Sequence, residues 1–310
     1  MFVYMKRIAI LGVRGMLGSD LRKVFADEAP YVLDKDELDI TNRDAVFQVF
    51  KSIKPEIVIS AAAYTDVDGC ETNRDLAMNV NGKAPGYLAE AASQCGAVLV
   101  HYSTDYVFDG KKAEGYREDD TPVNPVNFYG ESKLAGENAI RDAGGNYYII
   151  RTSWLFGLGP SFAPASPRLR RASKASEGGP KNFVETMLRL SEEKNELRVV
   201  NDQHGKPTFT LDLAKATKKL LDDKNDFGIY HITNEPATTW YDFARAIINK
   251  KNITRRIQKS DDRLSFVYPC SSREYPRLAQ RPAYSILLNT KLPLLRPWQE
   301  ALAEYLSLRN

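Results

Sequence analysis

The sequence predicts an α/β protein built on a doubly wound parallel sheet, with a smaller C-terminal lobe. Three observations predict it. A glycine-rich turn, Gly12-Val-Arg-Gly15-Met-Leu-Gly18, separates an apolar run from a helical pattern near the start of the chain. Short apolar runs then alternate with stretches of helical period as far as Thr152, the order that a parallel sheet with helices on both faces requires. A Tyr129-x-x-x-Lys133 pair follows a run that ends in Ser103-Thr104, at the edge where open parallel sheets carry their ligands.

Taken in order, Ile8 to Leu11 is apolar without a break, as a strand buried on both faces is. The turn after it leads into Leu17, Leu21, Val24 and Phe25 at helical spacing, which sets backbone N–H groups and a helix N-terminus where a phosphate can be held. The spacing is G-x-x-G-x-x-G rather than G-x-G-x-x-G, and a chance triplet among 19 glycines is the alternative. Tyr31 to Asp34 reads as the second strand. Asp34 stands about 20 residues past the turn, where an acid bonds the adenosine ribose of a dinucleotide. Otherwise it is a turn aspartate in the polar Asp34-Lys35-Asp36-Glu37. Arg14 and Lys35 could reach a ribose 2′-phosphate, so the local charges predict use of both NADH and NADPH.

Thr41 followed by Asp44 resembles a capped helix start leading into Val46, Phe47, Val49 and Phe50. Ile57 to Ser60 is the third strand, and Ala61-Ala62-Ala63 after it is small enough for a cofactor to lie on the backbone. A helix is expected from about Asp75 to Cys95, then a fourth strand from Ala97 to Tyr102 with Thr104 just beyond its end. The loop Asp119 to Asn127 delivers Tyr129 to a helix running to Arg141, and Tyr147 to Thr152 is a further strand. The second half is less regular. Gly159 to Pro180 is a loop-like insertion carrying Arg168, Arg170, Arg171 and Lys174. Helices are expected over Phe183–Leu190, Leu211–Leu221, Trp240–Ile248 and Trp298–Leu306, with an extended Leu197–Val200 and a strand at Gly228–Thr233 returning to the sheet. The expected division is a dinucleotide-binding part over 1–157 and a substrate lobe over 158–310.

A Tyr and a Lys four apart on a helix share a face. Charge attraction between them, ~4 kcal/mol at 4 Å and an effective dielectric near 20, predicts a phenol pKa lowered by up to ~3 units. Such a phenol exchanges protons near neutrality. A solvated helix face is the alternative, and Tyr31 with Lys35 repeats the spacing.

The totals bound the class. The 310 residues can bury a large core, and 43% hydrophobic with 27% charged residues is ordinary for a globular chain. No apolar run approaches the ~18 residues of a membrane span, and Ile8 to Leu11 is too short for a signal-peptide core. Three cysteines and three scattered histidines show no metal spacing, and buried thiols in a reducing, cytoplasmic setting are expected. The net charge of +3 lies in the Gly159–Pro180 insertion, one short basic loop rather than a stripe across a domain, so no nucleic-acid partner is expected.

A set of ordered blocks carries a resemblance. They are Gly12-x-x-Gly15-x-x-Gly18, Leu38-Asp39-Ile40-Thr41, Ala61-Ala62-Ala63-Tyr64-Thr65-x-Val67-Asp68 and Ser103-Thr104-Asp105-Tyr106-Val107-Phe108. Downstream come Tyr129-Gly-x-x-Lys133-Leu-x-Gly136-Glu137, Arg151-Thr152-Ser153-Trp154, Asn182-Phe183-Val184 and Arg281-Pro282-x-x-Ser285-x-Leu287. Together they cover nearly the whole chain, which resembles the extended short-chain dehydrogenases/reductases, with their Rossmann fold. The resemblance implies reduction of the 4-keto group of a dTDP-4-keto-6-deoxy sugar by NADPH or NADH, giving dTDP-L-rhamnose. It makes Tyr129 the proton donor, Lys133 the ligand of the nicotinamide ribose and Thr104 the holder of the reacting oxygen. Asp105 and Trp154 would contact the sugar, although Trp154 is equally a core aromatic without the resemblance. Gly15, Met16 and Leu17 would line the diphosphate, with Asp34, Asp39 and Ile40 toward the adenosine. Ala61, Ala62, Ala63, Tyr64, Thr65 and Tyr102 would border the rest of the cofactor. One departure is the insertion between Leu158 and Lys181, near the substrate lobe. Another nucleotide-sugar reductase or epimerase is the alternative, as is a non-catalytic NADP-binding regulatory subunit of the methionine adenosyltransferase type. A homodimer is left open.

Overall fold

The computed structural model describes residues 6–159, 182–258 and 265–309. The apolar run at the start forms β1 (Ile8–Leu11), and the glycine turn leads into α1 (Met16–Val24). There follow β2 (Tyr31–Leu33), α2 (Arg43–Ile53), β3 (Ile57–Ser60), α3 (Val67–Thr72), α4 (Arg74–Ala77), a π-helical turn (Met78–Lys83) and α5 (Ala84–Gln94). Then come β4 (Val98–Thr104), α6 (Phe128–Ala143), β5 (Asn146–Thr152) and β6 (Leu155–Phe156). The remainder holds α7 (Phe183–Glu193), β7 (Glu196–Val200), β8 (His204–Gly205), β9 (Thr208–Phe209), α8 (Thr210–Asp222), β10 (Gly228–His231), β11 (Thr238–Thr239), α9 (Trp240–Gln258), β12 (Phe266–Cys270) and α10 (Trp298–Arg309).

Six strands pair in the order β10-β5-β4-β3-β1-β2, all parallel. The direction of winding reverses at β1, which has β2 on one side and β3 on the other, so the crevice for a ligand opens beyond the carboxyl ends of β1 and β3. Both faces are covered. Leu17 and Leu21 of α1 pack with Leu213, Ala214 and Leu220 of α8 on one face, against Ile8, Ile10, Val100 and Ile150. On the other, Val46 and Phe50 of α2, Leu88 and Ala92 of α5 and Ile140 of α6 cover Leu11, Val58, Leu99 and Ile149. The expected return of Gly228–Thr233 to the sheet is met: β10 pairs with β5 through Ile229↔Ile149 and Tyr230↔Ile150.

A separate core forms in the second half, where Phe156, Phe209, Phe243, Ile247, Trp298, Leu302 and Tyr305 cluster. Several bounds differ from expectation. The helix read as Asp75–Cys95 is interrupted by the π-helical turn at Met78–Lys83. Helix α2 is capped by Asn42, whose side chain accepts from Ala45 N–H, while Thr41 instead bonds Asp39. Thr104 is the last residue of β4 rather than lying beyond it. The insertion at Gly159–Pro180 lies, beyond Gly159, outside the described residues, with its basic side chains.

Candidate active site

The glycine turn is built by close approach. Gly12 has φ of +78°, and a Cβ there would stand 2.7 Å from Ala62 N, so β1 can meet the chain leaving β3 only through glycine. A Cβ on Gly18 would overlap the Gly12 carbonyl, and this lets α1 start tight against the turn. Helix α1 has Gly15 at its N-cap, no side-chain cap and no acid in its first turn. Its leading N–H groups are therefore open to an anion, with the positive end of the helix behind them. The structure thus fits a dinucleotide diphosphate at Gly15, Met16 and Leu17.

The adenosine side is more constrained than the sequence predicts. Asp34 accepts from the N–H of Arg14 at 2.8 Å and of Lys35 at 2.8 Å, so this carboxylate ties the glycine turn to the end of β2. The Arg14 guanidinium, expected to reach a phosphate, pairs with Asp36 at 2.5 Å and lies 3.7 Å from Glu37. These pairs are exposed and cheap to exchange. Asp39 accepts from the Thr41 N–H and hydroxyl, and Ile40 packs in the core beside Leu38 and Val46. Tyr102 is turned away from this edge: its phenol bonds Thr217 of α8 at 2.8 Å, and what it offers here is its carbonyl.

Tyr129 lies in the first turn of α6. Asn127 caps that helix by accepting from Gly130 N–H at 2.9 Å, and anchors it by donating to the Gln280 carbonyl at 2.7 Å. The helix N-terminus favours negative charge on the phenol by ~0.3–1 kcal/mol. Tyr129 as a residue is half-buried, but its hydroxyl sits deep enough that burial pushes the phenol pKa up, with the Asp105 carboxylate adding to the rise and the polar Thr104 hydroxyl nearby opposing it. The expected lowering by Lys133 is therefore not seen. The reason is geometric: the Lys133 ammonium donates to the Tyr102 carbonyl at 2.6 Å and reaches His101 Nε2 at 3.1 Å, with no hydrogen bond to Tyr129. Burial brings Lys133 down to about 8, while Glu137, one turn along α6, holds it up.

Thr104 donates its one hydroxyl hydrogen to Asp105 Oδ1 at 2.9 Å and accepts from Tyr106 N–H at 3.2 Å. A substrate oxygen must therefore compete with Asp105 for that hydrogen. Burial raises the Asp105 carboxyl to about 7, the hydroxyls of Ser285 and Thr104 drawing it only part of the way back. Its Oδ2 is buried without a hydrogen-bond partner among the described residues.

Two further groups shape the crevice. Asn81, fully buried on the π-helical turn, accepts from Tyr64 N–H at 2.9 Å and donates to Tyr64 O at 2.9 Å and Ser132 Oγ at 3.1 Å. Ser132 Oγ in turn donates to the Tyr129 carbonyl at 2.8 Å, so one amide joins the loop after β3 to the helix of Tyr129. Trp154 has φ of 47° and stacks on Trp240, ring centres 3.6 Å apart, with Phe183 4.4 Å from Trp240. A Cβ on Gly205 would overlap the Trp154 indole. A cavity of about 300 Å³ opens elsewhere, between α8 and residues 289–296.

The family model for the RmlD substrate binding domain matches residues 5–309. The chain belongs to the RmlD family. It is 40% identical to the dTDP-4-dehydrorhamnose reductase of Aggregatibacter actinomycetemcomitans, over 96% of this chain and 97% of that one. It is 39% identical to the spore coat polysaccharide biosynthesis protein SpsK of Bacillus subtilis, over 99% of both chains. The crystal structure of dTDP-4-dehydrorhamnose reductase from Bacillus anthracis in complex with NADP superimposes with a TM-score of 0.84 at 36% identity, covering 98% of this chain and 99% of that one.

Within this RmlD-family chain, the structure brings Thr104, Asp105, Tyr129 and Lys133 to the carboxyl end of β4, on the same edge of the parallel sheet as the glycine turn. Trp154 follows β5 nearby. Sequence reasoning missed Asn81, His101, Gly205 and Trp240. Asn81 left one trace, a polar residue on a helix otherwise read as apolar at that spacing. The others left none, because their partners lie 32 or more residues away in sequence.

Proposed function

We propose that this chain reduces the 4-keto group of dTDP-4-dehydro-L-rhamnose to dTDP-L-rhamnose, using NADPH or NADH. One observation carries the reading: a phenol, a hydroxyl and an ammonium converge at the carboxyl end of β4, opposite an uncapped helix N-terminus, in a chain that matches the RmlD family from end to end. The named relatives support the substrate.

A bound nicotinamide would supply hydride to the sugar C4. The chain's own residues do the rest. The raised pKa keeps Tyr129 protonated at neutral pH, so it is charged with the proton that the developing alkoxide needs. Thr104 orients the same oxygen once its hydrogen leaves Asp105. The N-terminus of α6 lowers the energy of the phenolate left behind, while the Lys133 ammonium, held by the Tyr102 carbonyl and His101, is proposed to meet the nicotinamide ribose. Asp105 and Trp154 are proposed to face the sugar, and Gly12, Gly15, Met16, Leu17 and Gly18 the diphosphate. Asp34, Asp39, Ala61, Ala62, Ala63, Tyr64 and Thr65 are proposed to border the rest of the cofactor. The proposal keeps the division at 157/158, a cytoplasmic location and a homodimer. The alternative of a non-catalytic subunit has no feature of the site in its favour.

The test is to mix purified protein with the dTDP-4-keto sugar and follow NADPH and NADH oxidation, with the product identified by mass and sugar analysis. Cofactor oxidation that depends on the keto sugar and yields dTDP-L-rhamnose is expected. No turnover with either cofactor refutes the proposal.

A further inference from the structure

We propose that His101 is the positioning residue for Lys133: its neutral ring, protonated on Nδ1, holds the lysine ammonium through the Nε2 lone pair. The inference rests on the proposed reductase reading for its kinetic consequences, but not for its geometry.

Lys133 is fully buried, and a buried ammonium must find acceptors. It has two among the described residues, the Tyr102 carbonyl at 2.6 Å and His101 Nε2 at 3.1 Å. The carbonyl is fixed by the sheet, so it sets one point of contact. Only a second, off-axis acceptor fixes the direction in which the third N–H points. That third N–H is the one left for a bound ribose or the Tyr129 phenol.

The ring is equally dependent on the lysine. His101 is fully buried, and among the described residues its Nδ1 has no hydrogen-bond partner. Its register neighbour on β3, Ser60, has a hydroxyl that is also buried without a partner. Among the described residues the one hydrogen bond of the imidazole is therefore the one to Lys133, and that bond decides the tautomer, since an ammonium can only donate. A histidine conserving the strand alone would have been served by any apolar residue of its volume.

The surrounding charges favour the neutral ring. Lys133 faces it from α6. Behind Lys133, Glu137 is held by Arg151 of β5 in a buried bidentate pair, at 3.0 Å and 2.7 Å. Arg151 also approaches His231 of β10, whose backbone N–H donates to Glu118. Glu137 is thus neutralised by Arg151 and unavailable to His101. Burial and the Lys133 charge both drive the His101 pKa well below its ordinary value. The acceptor consequently stays available across the working pH range.

The test compares H101Q with H101N. Glutamine can place an acceptor where Nε2 stands, whereas asparagine reaches only to the Nδ1 position. H101N is expected to lower kcat/KM about 10- to 100-fold, the worth of one hydrogen bond to a charged group, and to weaken NADP binding about tenfold. It should also move the alkaline fall of kcat/KM to lower pH by about one unit, because the ammonium has lost an acceptor. H101Q should restore all three to within about threefold of wild type. Nitrogen-15 NMR of the unliganded wild type should show a protonated Nδ1 and a bare Nε2. Equal impairment of the two variants, an unshifted alkaline limb in H101N, or a protonated Nε2 would each overturn the proposal. If wild type fails to turn over the keto sugar, the substrate reading fails. The NMR and NADP-binding results then still decide the role of His101.

Discussion

Replacing Asp105 with Asn separates the cost of its buried charge from the rest of the protein. Asp105 is 3% exposed, with one carboxyl oxygen bonded to Thr104 and the other without a hydrogen-bond partner among the described residues. Burial raises it from 3.8 to about 7. At about 1.36 kcal/mol per unit, a rise of about three units is worth about 4 kcal/mol. The sign follows from proton counting. Between the unfolded and folded pKa values the native state binds the extra proton, so stability falls as pH rises. The contribution is fully present below the unfolded pKa of 3.8 and is lost by the time pH passes about 7. Asn keeps an acceptor for the Thr104 hydroxyl and cannot ionise. The variant should match wild type near pH 4 and be more stable near pH 8 by up to about 4 kcal/mol, or roughly 8 °C in Tm. Thermal unfolding of both ligand-free proteins, followed by circular dichroism across this range, measures the difference. Melting temperatures that run parallel with pH would refute the reasoning, because they would mean that the carboxylate is solvated or partnered in the folded protein.

Tyr129→Phe removes only the phenolic hydroxyl and keeps the ring, so NADP binding should survive while kcat falls about 10²- to 10⁴-fold. A variant that keeps a third of wild-type turnover, with chemistry limiting both, would remove Tyr129 from the mechanism. Asp34→Ala should shift the kcat/KM ratio toward NADPH, and should also weaken both cofactors because Asp34 ties Arg14 to Lys35. Arg14→Ala should shift the ratio toward NADH by less than about tenfold, since the guanidinium must first leave Asp36 and Glu37. Ratios unmoved by twofold in both would take these residues off the ribose. Gly205→Ala drives a methyl into the Trp154 ring and should raise KM for the sugar nucleotide while leaving that for NADPH unchanged. An unchanged sugar KM, with the variant folded, would show that the Trp154–Trp240 pair is not part of the substrate wall.

The sequence by itself determined the elements that answer to local rules. Unbroken apolar runs such as Ile57–Ile59 can only be strands buried on both faces, and their alternation with helices imposes parallel order. The glycine turn was legible because Gly12 and Gly18 are demanded by backbone contact within a few residues, apart from the approach to Ala62. Tyr129 and Lys133 were legible because helical spacing places both. What the tertiary structure alone decided is where their polar atoms go. Two residues on one face of a helix were expected to meet, but the buried Lys133 is claimed by acceptors 31 and 32 residues away on β4, which local spacing cannot see. The Tyr129 pKa follows the same logic: sequence shows the nearby cation, whereas burial and Asp105, which only the packed fold brings in, dominate and reverse the sign. Asp34 and Arg14 meet at the turn, and their partners were chosen by the way β2 folds back on it. The rule is physical. Backbone order follows from hydrophobic period and chain connectivity, but a charge is set by desolvation and by whichever donors and acceptors the finished core leaves within 3 Å or so.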